Sequence, residues 1–144
     1  MNRYGIKSTL KLSYLDCWGL YIYDKRKLEN FSTPEKVSAF FMERLRHETQ
    51  EHFLVAFVNV KNRLLGYKEV SIGGLNETPV DIKEAMKWAI RYKAFGLILL
   101  HNHPSGYPEP SKEDIDMMKI FAKAAQLLDM EVLDHVIIGD GIYV

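Results

Sequence analysis

His101 and His103 are separated by one residue, and Ser111 and Asp114 follow, so three possible metal ligands and a hydroxyl fall within fourteen residues. Neutral imidazole is a good zinc ligand, carboxylate oxygen completes a mixed set, and catalytic zinc keeps three protein ligands with one position open. Histidines at i and i+2 reach the same side only on extended backbone. The run Phe95-Gly96-Leu97-Ile98-Leu99-Leu100 just before them has the length and character of a buried strand. A core strand running out into a loop is a usual place for reactive groups. The pattern points to a metal centre and, through it, to hydrolysis. Each residue also has an ordinary structural use. His-x-His arises by chance at strand ends, and Ser111 and Asp114 have the spacing of a helix N-cap and its N3 partner, where acids suit the helix dipole.

The elements that must position these residues can be read from periodicity. Leu10 to Tyr23 suggests one or two strands, with Asp24-Lys25-Arg26 as a turn. Ser32 and Glu35 have capping-box spacing around Pro34, which opens a helix whose buried face is Val37, Phe40, Phe41 and Leu45. Phe53 to Val60 and Leu64 to Ile72 read as a hairpin turning at Lys61-Asn62 and ending at Gly73-Gly74. A second helix is expected over about 80–92, then the strand into His101. Ser111 starts a third helix with the stripe Ile115, Met118, Phe121, Ala125 and Leu128. Short strands around Glu131–Ile138 and Ile142–Val144 close the chain about Gly139-Asp140-Gly141. This order of elements means α/β or α+β, a mixed sheet flanked by helices. Residues 1–29 read as an N-terminal extension, of strands packed on a domain formed by residues 30–144.

Composition narrows the classes. The 144 residues suit one domain, and 47% hydrophobic content suffices for a core. Nineteen basic and nineteen acidic residues leave no net charge, which argues against direct nucleic-acid binding; Lys25-Arg26-Lys27 is read as a solvated turn. The single Cys17 excludes an intrachain disulfide framework and fits a reducing, cytoplasmic setting. No signal-peptide pattern and no membrane-spanning run is expected.

His101-x-His103-Pro104, with Ser111-x-x-Asp114 starting seven residues after the proline, resembles the metalloprotease motif of JAB/MPN domains. The wider context, Leu99 to Gly106, Pro110-Ser111, and Leu133-Asp134-His135-Val136-Ile137-Ile138-Gly139-Asp140-Gly141, resembles the RadC-like branch across about residues 30–144. That resemblance implies a curved mixed sheet with cytidine-deaminase-like layering, bound Zn²⁺ on His101, His103 and Asp114, and amide hydrolysis of a peptide or protein. It also implies a glutamate from an earlier strand as base and Ser111 as oxyanion donor. Spacing alone leaves Glu48, Glu51, Glu69, Glu77 and Glu84 open as the base. The resemblance points to Glu51, because Glu51-His52-Phe53-Leu54-Val55 matches the E-x-F-x-V entry to the second strand. The chain departs from the branch in three places. These 144 residues are expected to leave no room for the helix-hairpin-helix region that precedes the domain in longer members, Val80-Asp81-Ile82-Lys83-Glu84 stands for Val-His-Pro-Arg-Glu, and the sequence stops at Val144, slightly short of the usual end.

His135, on the apolar run Leu133–Ile138, is expected as a hydrogen-bonded buried histidine rather than a fourth ligand, since catalytic zinc needs an open position. His47 and His52 are expected at the surface, and Trp88 within the second helix carries no special signal. The competing reading is a non-catalytic interaction or DNA-repair accessory domain that keeps the fold and the metal site. Nucleobase deaminases are set aside for want of a P-C-x-x-C pair. The contiguous letters His101-Asn102-His103 do not make an HNH nuclease, whose namesake residues are spread over a ββα unit.

Overall fold

The computed structural model describes residues 12–15 and 21–23 by their backbone, and residues 28–73 and 80–144 in full. The first two segments are strands β1 (Leu12–Leu15) and β2 (Tyr21–Tyr23), paired antiparallel. The expected turn at Asp24-Lys25-Arg26 and Gly74 lie outside the described residues. Helix α1 (Pro34–Leu45) follows, then β3 (His52–Val58), β4 (Leu64–Ile72), α2 (Ile82–Arg91), β5 (Gly96–Asn102), α3 (Lys112–Leu127) and β6 (Glu131–Ile138). The last four strands form one mixed sheet in the order β4-β3-β5-β6. β3 runs antiparallel to both its neighbours, and β5 runs parallel to β6 through the crossover helix α3.

Strand alternation sorts the core into two clusters, one on each face of the sheet. Leu54, Ala56, Val58, Ile98 and Leu100 point to the face covered by Val37, Phe40, Phe41 and Leu45 of α1. Phe53, Val55, Phe57, Leu97 and Leu99 point to the face covered by Trp88 of α2 and Phe121 and Ala125 of α3. β5 is buried along its whole length, which explains its unbroken apolar run. The hairpin turn falls where expected: Asn62 takes φ 56°, and the Asn59 carboxamide accepts from the Lys61 and Arg63 N–H groups.

Three details differ from the periodicity reading. Thr33, not Ser32, caps α1, its hydroxyl accepting from the Lys36 N–H at 3.4 Å. Pro34 has a fixed φ and no N–H to satisfy, so it takes the first helical position and makes the residue before it the cap. In α3, Phe121 and Ala125 are buried, but Ile115, Met118 and Leu128 are exposed; the core-facing stripe is Asp114, Met117, Phe121, Ala124 and Ala125. The expected strand at Ile142–Val144 is reduced to a single bridge between Ile138 and Tyr143. At the substituted start of α2, Asp81 is the N-cap and accepts from the Glu84 N–H at 3.2 Å.

Candidate metal centre

β5 and α3 bring the sequence motif together. His101 is the penultimate residue of β5 and 2% exposed, and His103 lies two residues on, past the strand end. Parity keeps both rings on the face covered by α3. Asp114 stands one turn into α3 on its buried stripe, so the helix presents a carboxylate to the strand end. The site thus lies between the C-terminal end of a parallel strand and the N-terminus of the following helix, where α/β folds commonly place ligands.

The three side chains converge closely. His101 Nε2 is 3.0 Å from Asp114 Oδ1, His103 Nε2 is 3.1 Å from Asp114 Oδ2, and the two Nε2 atoms are 3.0 Å apart. Tetrahedral zinc with bonds of about 2.0–2.1 Å has ligand-to-ligand edges of about 3.3 Å. The Nε2–Nε2 edge is within a few tenths of an ångström of that, while the two imidazoles face different oxygens of the Asp114 carboxylate; one ligand atom from each residue brings the set within 4.8 Å. The tautomers agree. His103 Nδ1 is 2.9 Å from the Tyr107 carbonyl, which can only accept, so Nδ1 carries the hydrogen and the Nε2 lone pair faces the cluster. His101 Nδ1 is 2.9 Å from His135 Nε2, and a hydrogen on Nδ1 again frees Nε2.

Two imidazole lone pairs and a carboxylate pointed at one spot call for a cation between them. Protonation supplies part of one: the hydrogen bond to Asp114 raises the pKa of His103, against the opposing effect of burial. Burial works against the charge of Asp114, but the two imidazoles and the Ser111 N–H outweigh it and hold the carboxyl well below the usual range. Burial, reinforced by the neighbouring His101, lowers His135 to about 4 and keeps it neutral. These three ligand residues could hold a metal ion.

Other groups steady the ligands. Phe53 stacks on the His101 ring with centroids 5.6 Å apart and planes 10° from parallel. Ser111 and Asp114 form a reciprocal capping box: Ser111 Oγ accepts from the Asp114 N–H, and Asp114 Oδ2 accepts from the Ser111 N–H. The Ser111 hydroxyl hydrogen therefore remains available as a donor. The loop after His103 turns at Gly106 with φ 88° and is fastened to the end of β6, where the Asp140 N–H donates to the Gly106 carbonyl. Gly139 is needed there, because a Cβ would come within 2.3 Å of the Gly106 oxygen.

A cavity of about 290 Å³ opens beside His103 and Asp114, and its walls include Glu51, Ser111 and Glu113. Glu51 shares strand parity with Phe53, which sets it on the same side of the sheet as the histidines. The rival acids are engaged elsewhere: Glu48 and Glu69 with His52, and Glu84 with Trp88 and Lys87. Glu77 lies outside the described residues. His47 is exposed as expected, but His52 is not a free surface residue. Its side chain is 14% exposed and lies between Glu69 at 2.8 Å and Glu48 at 3.4 Å, because the next residue along β3 must point to the opposite face. Asn102 carried no expectation; its only signal in the sequence is a polar residue between two histidines. No helix among the described residues is long and apolar enough to cross a membrane.

Residues 31–144 match the model of the RadC-like JAB domain. A UPF0758 protein of Caldanaerobacter subterraneus is 43% identical over 139 residues, covering 95% of this chain and 60% of that protein. UPF0758 proteins of Desulfitobacterium hafniense and Halalkalibacterium halodurans are 45% and 44% identical, over 78% and 88% of this chain. The chain spans only 50% and 55% of those two relatives. The family model spans Glu51, His101, His103, Asp114 and the β6 segment that carries His135, and the chain belongs to the RadC-like JAB domain family.

Proposed function

We propose that this domain is a zinc-dependent hydrolase that cleaves an amide bond of a peptide or protein, with His101, His103 and Asp114 holding the metal. The observation that carries this reading is the convergence of His101, His103 and Asp114, whose ligand atoms lie within 4.8 Å of one another beside an open cavity. Zinc held there would supply Lewis acidity, polarising a carbonyl and making water acidic near neutral pH. Glu51, on the cavity wall, takes the proton of the attacking water and returns it to the leaving amine. The Ser111 hydroxyl, its oxygen engaged by the Asp114 N–H, donates to the developing oxyanion. His135 stays neutral and keeps the His101 hydrogen on Nδ1.

The test is metal content after purification, followed by cleavage of a diverse peptide library by the parent and Glu51→Gln chains. Stoichiometric zinc and cleavage lowered by about 10²–10⁴-fold in Glu51→Gln support the proposal. Stoichiometric zinc with no Glu51-dependent cleavage would leave the other reading, an accessory domain that keeps its metal without turnover.

A further inference from the structure

Asn102 separates the two histidines and is itself 1% exposed. Alternation along β5 turns its side chain away from the face that His101 and His103 share. The carboxamide instead bridges to the chain entering β3. Its Oδ1 accepts from the His52 N–H at 2.6 Å, and its Nδ2 donates to the Gln50 carbonyl at 3.0 Å. Only this orientation of the amide satisfies both partners. The last paired position between β3 and β5 is Phe53 with His101, and beyond it the side chain of Asn102 takes the place of a further backbone rung. The two contacts flank Glu51. From the β4 side, the Gly73 N–H donates to the Glu51 carbonyl at 2.8 Å.

We infer that Asn102 is a positioning residue for Glu51: its carboxamide holds the peptide groups on either side of Glu51 and so sets where that carboxylate stands relative to His101, His103 and Asp114. The inference rests on the reading of Glu51 as the proton carrier. Strand ends fray unless tied down, and a displacement of about 1 Å can cost about 10²-fold in rate. The task needs a donor and an acceptor on one planar group. Aspartate would turn an oxygen toward the Gln50 carbonyl, and alanine would take the side-chain partner from both the His52 N–H and the Gln50 carbonyl. One residue thus couples β5, which carries His101, to the segment entering β3, which carries Glu51.

The experiment uses the full chain loaded with Co²⁺, whose visible bands respond to what occupies and hydrogen-bonds at its open position. Parent, Glu51→Gln, Asn102→Ala and the double variant are compared by cobalt affinity, cobalt spectrum and hydrogen exchange of the His52 amide. The expected result is His52 exchange faster by about tenfold or more in Asn102→Ala, with cobalt affinity within about threefold of the parent. The spectrum of Asn102→Ala should shift in the same sense as that of Glu51→Gln, and the double variant should match Glu51→Gln alone. A spectrum moved by Glu51→Gln but not by Asn102→Ala overturns the inference and leaves the proton-carrier reading standing. A spectrum moved by neither overturns both. Cobalt affinity lowered about tenfold or more in Asn102→Ala also overturns it, since Asn102 would then act on the ligands themselves. Should Asn102→Ala not fold, Asn102→Asp, which keeps the acceptor and loses the donor, decides by the same readouts.

Discussion

Replacing His135 with phenylalanine should weaken metal binding while making the metal-free protein less sensitive to acid. His135 Nε2 is 2.9 Å from His101 Nδ1, and the His101 ring is 2% exposed, with little access for water to take over that contact. Phenylalanine keeps a ring among Phe53 and His101 but offers no acceptor. His101 must then bind metal with an unpaired buried N–H, at a cost of about 1–3 kcal/mol. That corresponds to a loss of about 10–100-fold in affinity. The metal-free protein escapes most of this cost, because His101 can move its hydrogen to Nε2 and donate to Asp114 at 3.0 Å. The acid response runs the other way. His135 has a folded pKa of about 4, below the ordinary 6.5, so between these values the unfolded chain binds more protons. Its contribution is therefore lost as pH falls through that window. Between pH 7.5 and pH 5 it amounts to about 2 kcal/mol, which the phenylalanine variant would not lose. Competition against a chromophoric chelator reads the affinity, and denaturant unfolding of both metal-free proteins at the two pH values reads the stability. Affinity unchanged within about threefold, or an equal acid response in the two proteins, would refute the reasoning.

Further outcomes follow from the same geometry. Ser111→Ala removes a helix cap and a hydroxyl donor together, so unfolding should show a loss of about 1 kcal/mol, and kcat on any substrate found should fall by about 10²–10³-fold. Ser111→Asp should restore much of the capping and none of the catalysis, which separates the two effects. Gly139→Ala must displace the backbone at Gly106, because the new Cβ would lie 2.3 Å from its oxygen. The loop that orients His103 through Tyr107 should shift, with a stability loss of about 1–3 kcal/mol and weaker metal binding; a neutral result in thermal melts and metal titration would contradict the close approach. Chelation should lower the melting temperature of the parent by several degrees, since an ion bound to the folded state alone stabilises it by mass action, and should leave Asp114→Ala nearly unmoved.

Local spacing is what the sequence determined by itself. His101-x-His103 at the end of an apolar run implied extended backbone, and Ser111-x-x-Asp114 implied a capped helix start; both are present. The hairpin, the core face of α1 and the placement of β5 were legible because apolar periodicity survives in the linear chain. Where two frames compete, periodicity does not choose. The stripes through Ile115, Met118 and Leu128 and through Asp114, Met117 and Ala124 share Phe121 and Ala125. A count of apolar residues favours the first, because the buried face carries an aspartate. α3 turns by the second so that Asp114 meets two imidazoles across the sheet end. Tertiary structure alone decided the rest. Spacing left Glu51 level with Glu48, Glu69 and Glu84, and only the resemblance favoured it; the fold puts Glu51 on the cavity wall and engages those three with His52, Trp88 and Lys87. The role inferred for Asn102 depends on two segments that are 50 residues apart in sequence. Such contacts arise from strand register and packing, which the local order of residues does not record.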